Sequence, residues 1–197
     1  MEQLINRVKQ FLLNPKEEWQ VIVKEDNKTA QQHIIEYVLP LALIPAIATF
    51  IGTGLIGYRA LGFHVRSINT GLSQAAISLL STLIGVYISG FVIHKLAASY
   101  NTTVSLDKAI KLVGFSYTAI LIAGVFNIFP SLAILSLIAG IYSLYILYLG
   151  FKPMTNVPEE KTSTYFVVSL LVIIGVYIVI GVILGAIVAS IGFASLR

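Results

Sequence analysis

Residues 109–150 read AIKLVGFSYTAILIAGVFNIFPSLAILSLIAGIYSLYILYLG, and the number of helices they form decides the fold. As one helix the run would be about twice the roughly 20 residues that a hydrocarbon core about 30 Å thick requires. Asn127 and Pro130 interrupt its middle, and a proline there lacks the amide hydrogen that a helix interior needs. The stretch therefore predicts two membrane helices, about 109–129 and 131–150, joined by a tight hairpin. Three further runs match them in length and apolarity, about 37–57, 72–94 and 165–191. Helices satisfy their own backbone in lipid, and no barrel-like alternation occurs. The expected fold class is all-α: a polytopic membrane protein with five transmembrane helices in residues 37–197, preceded by short amphipathic surface helices in a lead-in over residues 1–36.

Composition agrees. The chain is 57% hydrophobic and 11% charged, against about 25% charged residues in soluble domains. Too little polar surface is available to coat a globule in water, so the bilayer is the expected partner and no nucleic acid is expected. No cysteine occurs, which excludes disulfides and thiol chemistry. A charged stretch precedes the first apolar run, so no cleavable leader is expected. Five spans put the termini on opposite faces. Ten of the thirteen basic residues and all nine acidic ones then share the amino-terminal face, leaving Arg59, Arg66 and Arg197 on the other. The positive-inside rule places the amino terminus in the cytoplasm of a cell whose inner membrane the chain spans. The Asn27-Lys28-Thr29 and Asn101-Thr102-Thr103 sequons fall on that face and should be idle.

In the lead-in, Leu4, Ile5, Val8, Phe11 and Leu12 form one helical stripe, as expected of a helix lying on an apolar surface. Asn14 reads as a helix cap, Pro15 as the first helical residue and Glu17 as the source of a returning capping bond. The next short helix turns Trp19, Ile22 and Val23 to one side. Asn14, Pro15, Trp19, Ile22 and Val23 are thus the candidate cytoplasmic docking face, with Trp19 at the membrane interface. Thr29 and Gln32 predict a second capping box, which launches the first span.

The segment NPKEEW at 14–19, followed by YVLPLALIPAIA at 37–48, resembles the start of the Yip-one domain family of small five-span proteins named for interacting with Ypt/Rab GTPases. Residues 108–151 carry the better match. Family members show a Gly-Tyr step early in the third span with a proline soon after, and an aromatic-Ser-Leu-Tyr run closing the fourth. Here Gly114 is kept, Phe115 stands for the tyrosine, Ala119 stands where proline is common, and Tyr142-Ser143-Leu144-Tyr145 fits the later run. Gly114, Phe115, Tyr117, Tyr142 and Tyr145 make up this family-like centre. The resemblance implies a non-enzymatic protein of membrane organisation or traffic. Eukaryotic relatives bind prenylated Rab GTPases; the chain resembles the shorter prokaryotic branch, for which that partner is not carried over.

No Asp or Glu lies inside a span, which argues against an ion-coupled carrier. His33, His64 and His94 sit at span margins without the convergence a metal needs, and no phosphate loop or nucleophile motif occurs. Neither a cofactor nor an enzymatic activity is expected. Glu36 and Lys95, at the same edge, are a candidate ion pair. Gly181, Gly185 and Ala189 form a small-residue face, as do Ser81, Gly85 and Ser89. Such a face packs helices within one protomer, or in the alternative joins copies into a homo-oligomer through the fifth span. Pro40 and Pro45 should bend the first span. Tyr142 and Tyr145 should find hydroxyl or carbonyl partners across a helix, with Ser116, Thr118 and Asn127 as candidates. Two functions follow: a scaffold or adaptor working through the cytoplasmic face, or a passive transport or lipid-handling protein with a cavity near the bent first span.

Overall fold

Apolar stretches with helical spacing become rods in the computed structural model. It describes residues 2–25, 28–60, 63–129 and 132–194, with side-chain surroundings for these except 58–60, 63–65, 133 and 181–194. Helices α1 (Glu2–Leu13) and α2 (Pro15–Lys24) lead in. The first rod runs Ala30–Ile56, the second Ile68–Tyr100, the fourth Ala133–Thr155 and the fifth Glu159–Ala194. The third is a bent pair, Leu106–Ser116 and Thr118–Ile128. Four rods are thus long and apolar enough to cross a membrane, and the pair makes five if counted as one. That pair follows the first rod from end to end. Asp107 accepts from the Ala30 amide at 2.8 Å, and at the far end a β-carbon on Gly52 would press on the Asn127 and Ile128 carbonyls. It is therefore a bent span rather than a shallow loop. Between the first and second rods Tyr58–Ala60 and Phe63–Val65 pair as a two-stranded antiparallel ribbon, an addition to an otherwise helical fold.

The first rod is continuous, and its irregularity is spread over two π-helical segments, Ile34–Val38 and Phe50–Ile56. Pro40 has no amide to give the Glu36 carbonyl and its ring crowds that oxygen. In the widened turn before it, the Leu39 amide donates to the Ile34 carbonyl instead. The sharp bend lies in the third rod, 41° about Tyr117, with no proline in it. Here the Ser143 hydroxyl of the fourth rod accepts from the Ile120 amide at 3.0 Å. That oxygen takes the place of the Ser116 carbonyl, which an unbroken helix would offer. Ser116 and Thr118 turn their hydroxyls onto the Leu112 and Phe115 carbonyls, at 2.6 and 2.5 Å.

Small residues set the close crossings. A β-carbon on Gly90 would meet the backbone of Ile110 in the third rod at 2.9 Å, and one on Gly85 would strike the Tyr177 hydroxyl of the fifth. Gly85 and Ser89 are buried and Ser81 is exposed, so this part of the second-rod face is spent inside the protomer. Gly181, Gly185 and Ala189 lie outside the residues whose side-chain surroundings are described. At the other end of the fifth rod Tyr165 is fully buried, donates to the Ile93 carbonyl and stacks on Tyr100 at 4.7 Å.

The Ser143 bond generates a prediction. Ser143→Ala leaves the Ile120 amide, part-buried between the third and fourth rods, without its partner, at a cost of about 1–3 kcal/mol. Thermal unfolding in mild detergent should come at a lower temperature than for the exposed-site control Ser163→Ala. Equal melting of the two variants would contradict the account of the bend.

Candidate functional site

The amino-terminal helices depart most from the reading of the sequence. Trp19 was expected at the membrane interface as part of a docking face; it is 0% exposed. Its indole nitrogen donates to the Ile146 carbonyl of the fourth rod at 2.9 Å. The ring reaches that carbonyl because Gly150, one turn on, has no side chain: a β-carbon there would collide with the indole. Phe11 meets Trp19 edge-on with centroids 5.0 Å apart and stacks on Phe115, also at 5.0 Å. Phe115 is the hub. Tyr37 and His33 pack on it at 4.7 and 4.2 Å, and the Tyr37 hydroxyl bonds Thr118 at 2.7 Å. Pro15 and Ile22 are buried with Trp19, whereas Asn14 is exposed and Val23 is 38% exposed. The apolar side of α2 thus docks onto the protein's own bundle. Burying an indole and two phenyl rings is worth more inside a packed core than at a wet interface.

Other residues fall into place around this anchor. Gly114 is required because a side chain there would strike the buried His33 ring. Tyr117 occupies the bend, and its hydroxyl and that of Tyr177 both lie within 4.0 Å of a β-carbon built on Gly85. Tyr142 does find a carbonyl, but not on the third rod: it donates to Leu12 of α1 at 2.9 Å. Tyr145 is exposed. Thr118 is taken by Tyr37, Ser116 by its own helix, and Asn127 bonds Thr49 at 3.4 Å. The capping box at Thr29 and Gln32 forms as expected. The one at Asn14 does not, because the Asn14 amide is still bonded to the Gln10 carbonyl of α1 at 2.7 Å and has nothing left for Glu17.

Above the aromatic cluster lies a cavity of about 870 Å³ at the charged end, with Arg7, Glu18, Lys28, His33, Glu36 and Lys111 in its wall. Arg7 bridges the hairpin, bonding Glu18 and, at 2.6 Å, Glu25. Burial works against its charge, but the two carboxylates outweigh that and hold its pKa above the ordinary value. The Lys111 ammonium donates to the Lys28 carbonyl at 2.9 Å. Glu36 pairs with Lys28 and not with Lys95. Lys28 lies just before the first rod and within reach of Glu36, while the Lys95 ammonium sits 5.4 Å from the Phe91 ring centre on its own helix. Among the described residues no group of three or more His, Asp or Glu is placed to hold a metal. Reading the sequence missed Glu18, Ser143 and Gly150. Glu18 looks like one more solvated charge, and nothing in the spacing links Gly150 to Trp19, 131 positions earlier in the chain.

The fold is that of a multi-pass integral membrane protein whose leading helices are keyed into its bundle. The Yip1 domain matches residues 9–194, and the chain belongs to that family. It is similar to the inner membrane protein YohC of Escherichia coli K12, 31% identical over 157 residues that cover 77% of this chain and 80% of the relative. The protein of the same name from Escherichia coli O6:H1 strain CFT073 aligns with the same identity and coverage. No solved structure matches the chain.

Trp19 is the only tryptophan, so it reports on its own anchor. Its emission should be blue-shifted and protected from iodide. Gly150→Leu should shift it to the red and expose it, with a stability loss approaching the about 3–5 kcal/mol of a core tryptophan truncation. Unchanged emission and quenching in that variant would show that the indole does not occupy the Gly150 notch.

Proposed function

We propose that the chain is a non-enzymatic scaffold of the inner membrane, with its amino terminus in the cytoplasm and its carboxyl terminus across the bilayer. In this reading it recruits a cytoplasmic protein at the cavity between the amino-terminal hairpin and the first, third and fourth rods. Membership of the Yip1 domain family, the name of the Escherichia coli relatives and the asymmetry of basic residues support it. The observation that carries it is the cavity's construction. Its wall mixes paired acids and bases held by Arg7, Glu18, Glu25, Lys28 and Glu36, a surface suited to a charged polypeptide segment more than to a single small ion. Copies of the chain joined through Gly181, Gly185 and Ala189 would raise the number of such cavities per assembly.

The second reading, a passive path for a solute or lipid, draws on the cavity's volume, which is within the about 300–1,000 Å³ of small-molecule pockets. Because Trp19 is buried, a photo-crosslinker at Val23, on the exposed rim, is the better probe. In intact cells it should capture a discrete protein, with the adduct weakened by Arg7→Ala. Lipid adducts alone, together with solute flux in liposomes of the purified chain, would favour the second reading.

A further inference from the structure

The α1–α2 hairpin does not lie on top of the bundle; it descends along its flank. Tyr142 bonds Leu12 and Trp19 bonds Ile146, which fixes the hairpin's tip at the level of Tyr142. At 1.5 Å per residue that is about 15 Å below Lys152, the basic residue at the end of the fourth rod. The face that the tip turns away from the bundle is mostly polar, with Asn14, Lys16, Glu17 and Gln20 exposed and Leu13 the one exposed apolar side chain among residues 13–20. Polar and charged groups are costly in hydrocarbon, so lipid tails cannot surround this face at that depth.

Along the fourth rod the exposed side chains change from aliphatic to mainly aromatic, with Leu144 the exposed aliphatic residue at the crossover. Ile134, Leu137, Ile138 and Ile141 face outward below the tip, and Tyr145 and Tyr148 face outward at and above it, as an aromatic belt does at a membrane interface. From Leu132 to Tyr145 the rod rises about 20 Å, against about 30 Å for an ordinary hydrocarbon core. On the opposite flank the second rod carries a 29-residue helix without a break.

We infer that this protein thins the bilayer on one flank only. Phospholipid headgroups and their water are drawn down beside α1 and α2 to the level of Tyr142–Tyr145, while the flank of the second rod meets a bilayer of full thickness. The outer face of the hairpin is therefore a headgroup-binding surface. It carries Lys16 and Glu17 together and so does not select anionic over zwitterionic lipids. A lopsided hydrophobic belt tilts and curves the surrounding leaflet, which deepens the membrane-organising reading and rests on it. The geometry can be tested whether or not a protein partner exists.

The absence of cysteine allows single nitroxide labels at Lys16, Glu17, Gln3 and Ile141 in full-length protein reconstituted in dioleoyl phosphatidylcholine. The exposed label sites should leave the fold intact, which Trp19 emission verifies. Collisions with a water-soluble nickel chelate should be as frequent at Lys16 and Glu17 as at the exposed Gln3, and oxygen should dominate at Ile141. Vesicles containing anionic lipid should give the same pattern. Oxygen-dominated relaxation at Lys16 and Glu17 would place them among acyl chains and overturn the proposal. Exclusion of both reagents would mean that protein, such as a second copy, covers the face, and would also overturn it.

Discussion

One hydrogen bond and the notch that admits it organise the molecule: the Trp19 indole reaching the Ile146 carbonyl across the gap left by Gly150. A helix carbonyl has a second lone pair beyond its own ladder bond, and a glycine one turn on leaves it uncovered. The indole fills the gap, brings Phe11 with it, and closes over Phe115. Three segments distant in sequence, the lead-in, the third rod and the fourth, thereby become one core. The charged bonds above, from Arg7 to Glu18 and Glu25, add direction to a docking whose free energy comes from the rings. Arg7, the buried Glu18 and Glu25 all belong to the hairpin, so these pairs join α1 to α2 and leave the docking on the bundle to the rings.

The rods were legible in the sequence because lipid imposes a simple length and apolarity requirement on each of them. The break between the third and fourth rods was legible from Asn127 and Pro130, and the Thr29–Gln32 cap from local spacing alone. What depended on contacts between distant segments was not. Trp19 and its neighbours read as a surface helix because an amphipathic pattern marks a buried side without naming what buries it. The bend in the third rod was not legible, because the serine that sustains it lies on another helix and leaves no trace in local sequence. Glu36 and Lys95 shared an edge, but a closer lysine was available.

The buried anchor also reassigns roles within the family-like centre. Gly114 clears space for His33, Tyr117 marks the bend, Ser143 sustains it and Tyr142 holds α1. These residues build the surface on which the lead-in sits, and so shape the cavity at the charged end without facing it as ligands. The working face of the protein is then a composite: Phe11, Trp19 and Ile22 of the lead-in face inward, and its charges face a cavity on one side and lipid headgroups on the other.

The most direct test of this account is hydrogen exchange across residues 2–24 in lipid nanodiscs, comparing the wild-type chain with Trp19→Ala. Slow exchange through α1 and α2 is expected in the wild type and rapid exchange of both helices in the variant, with the second and fifth rods unchanged. Equal, slow exchange in the two proteins would contradict it, because the hairpin would then be held by something other than its tryptophan.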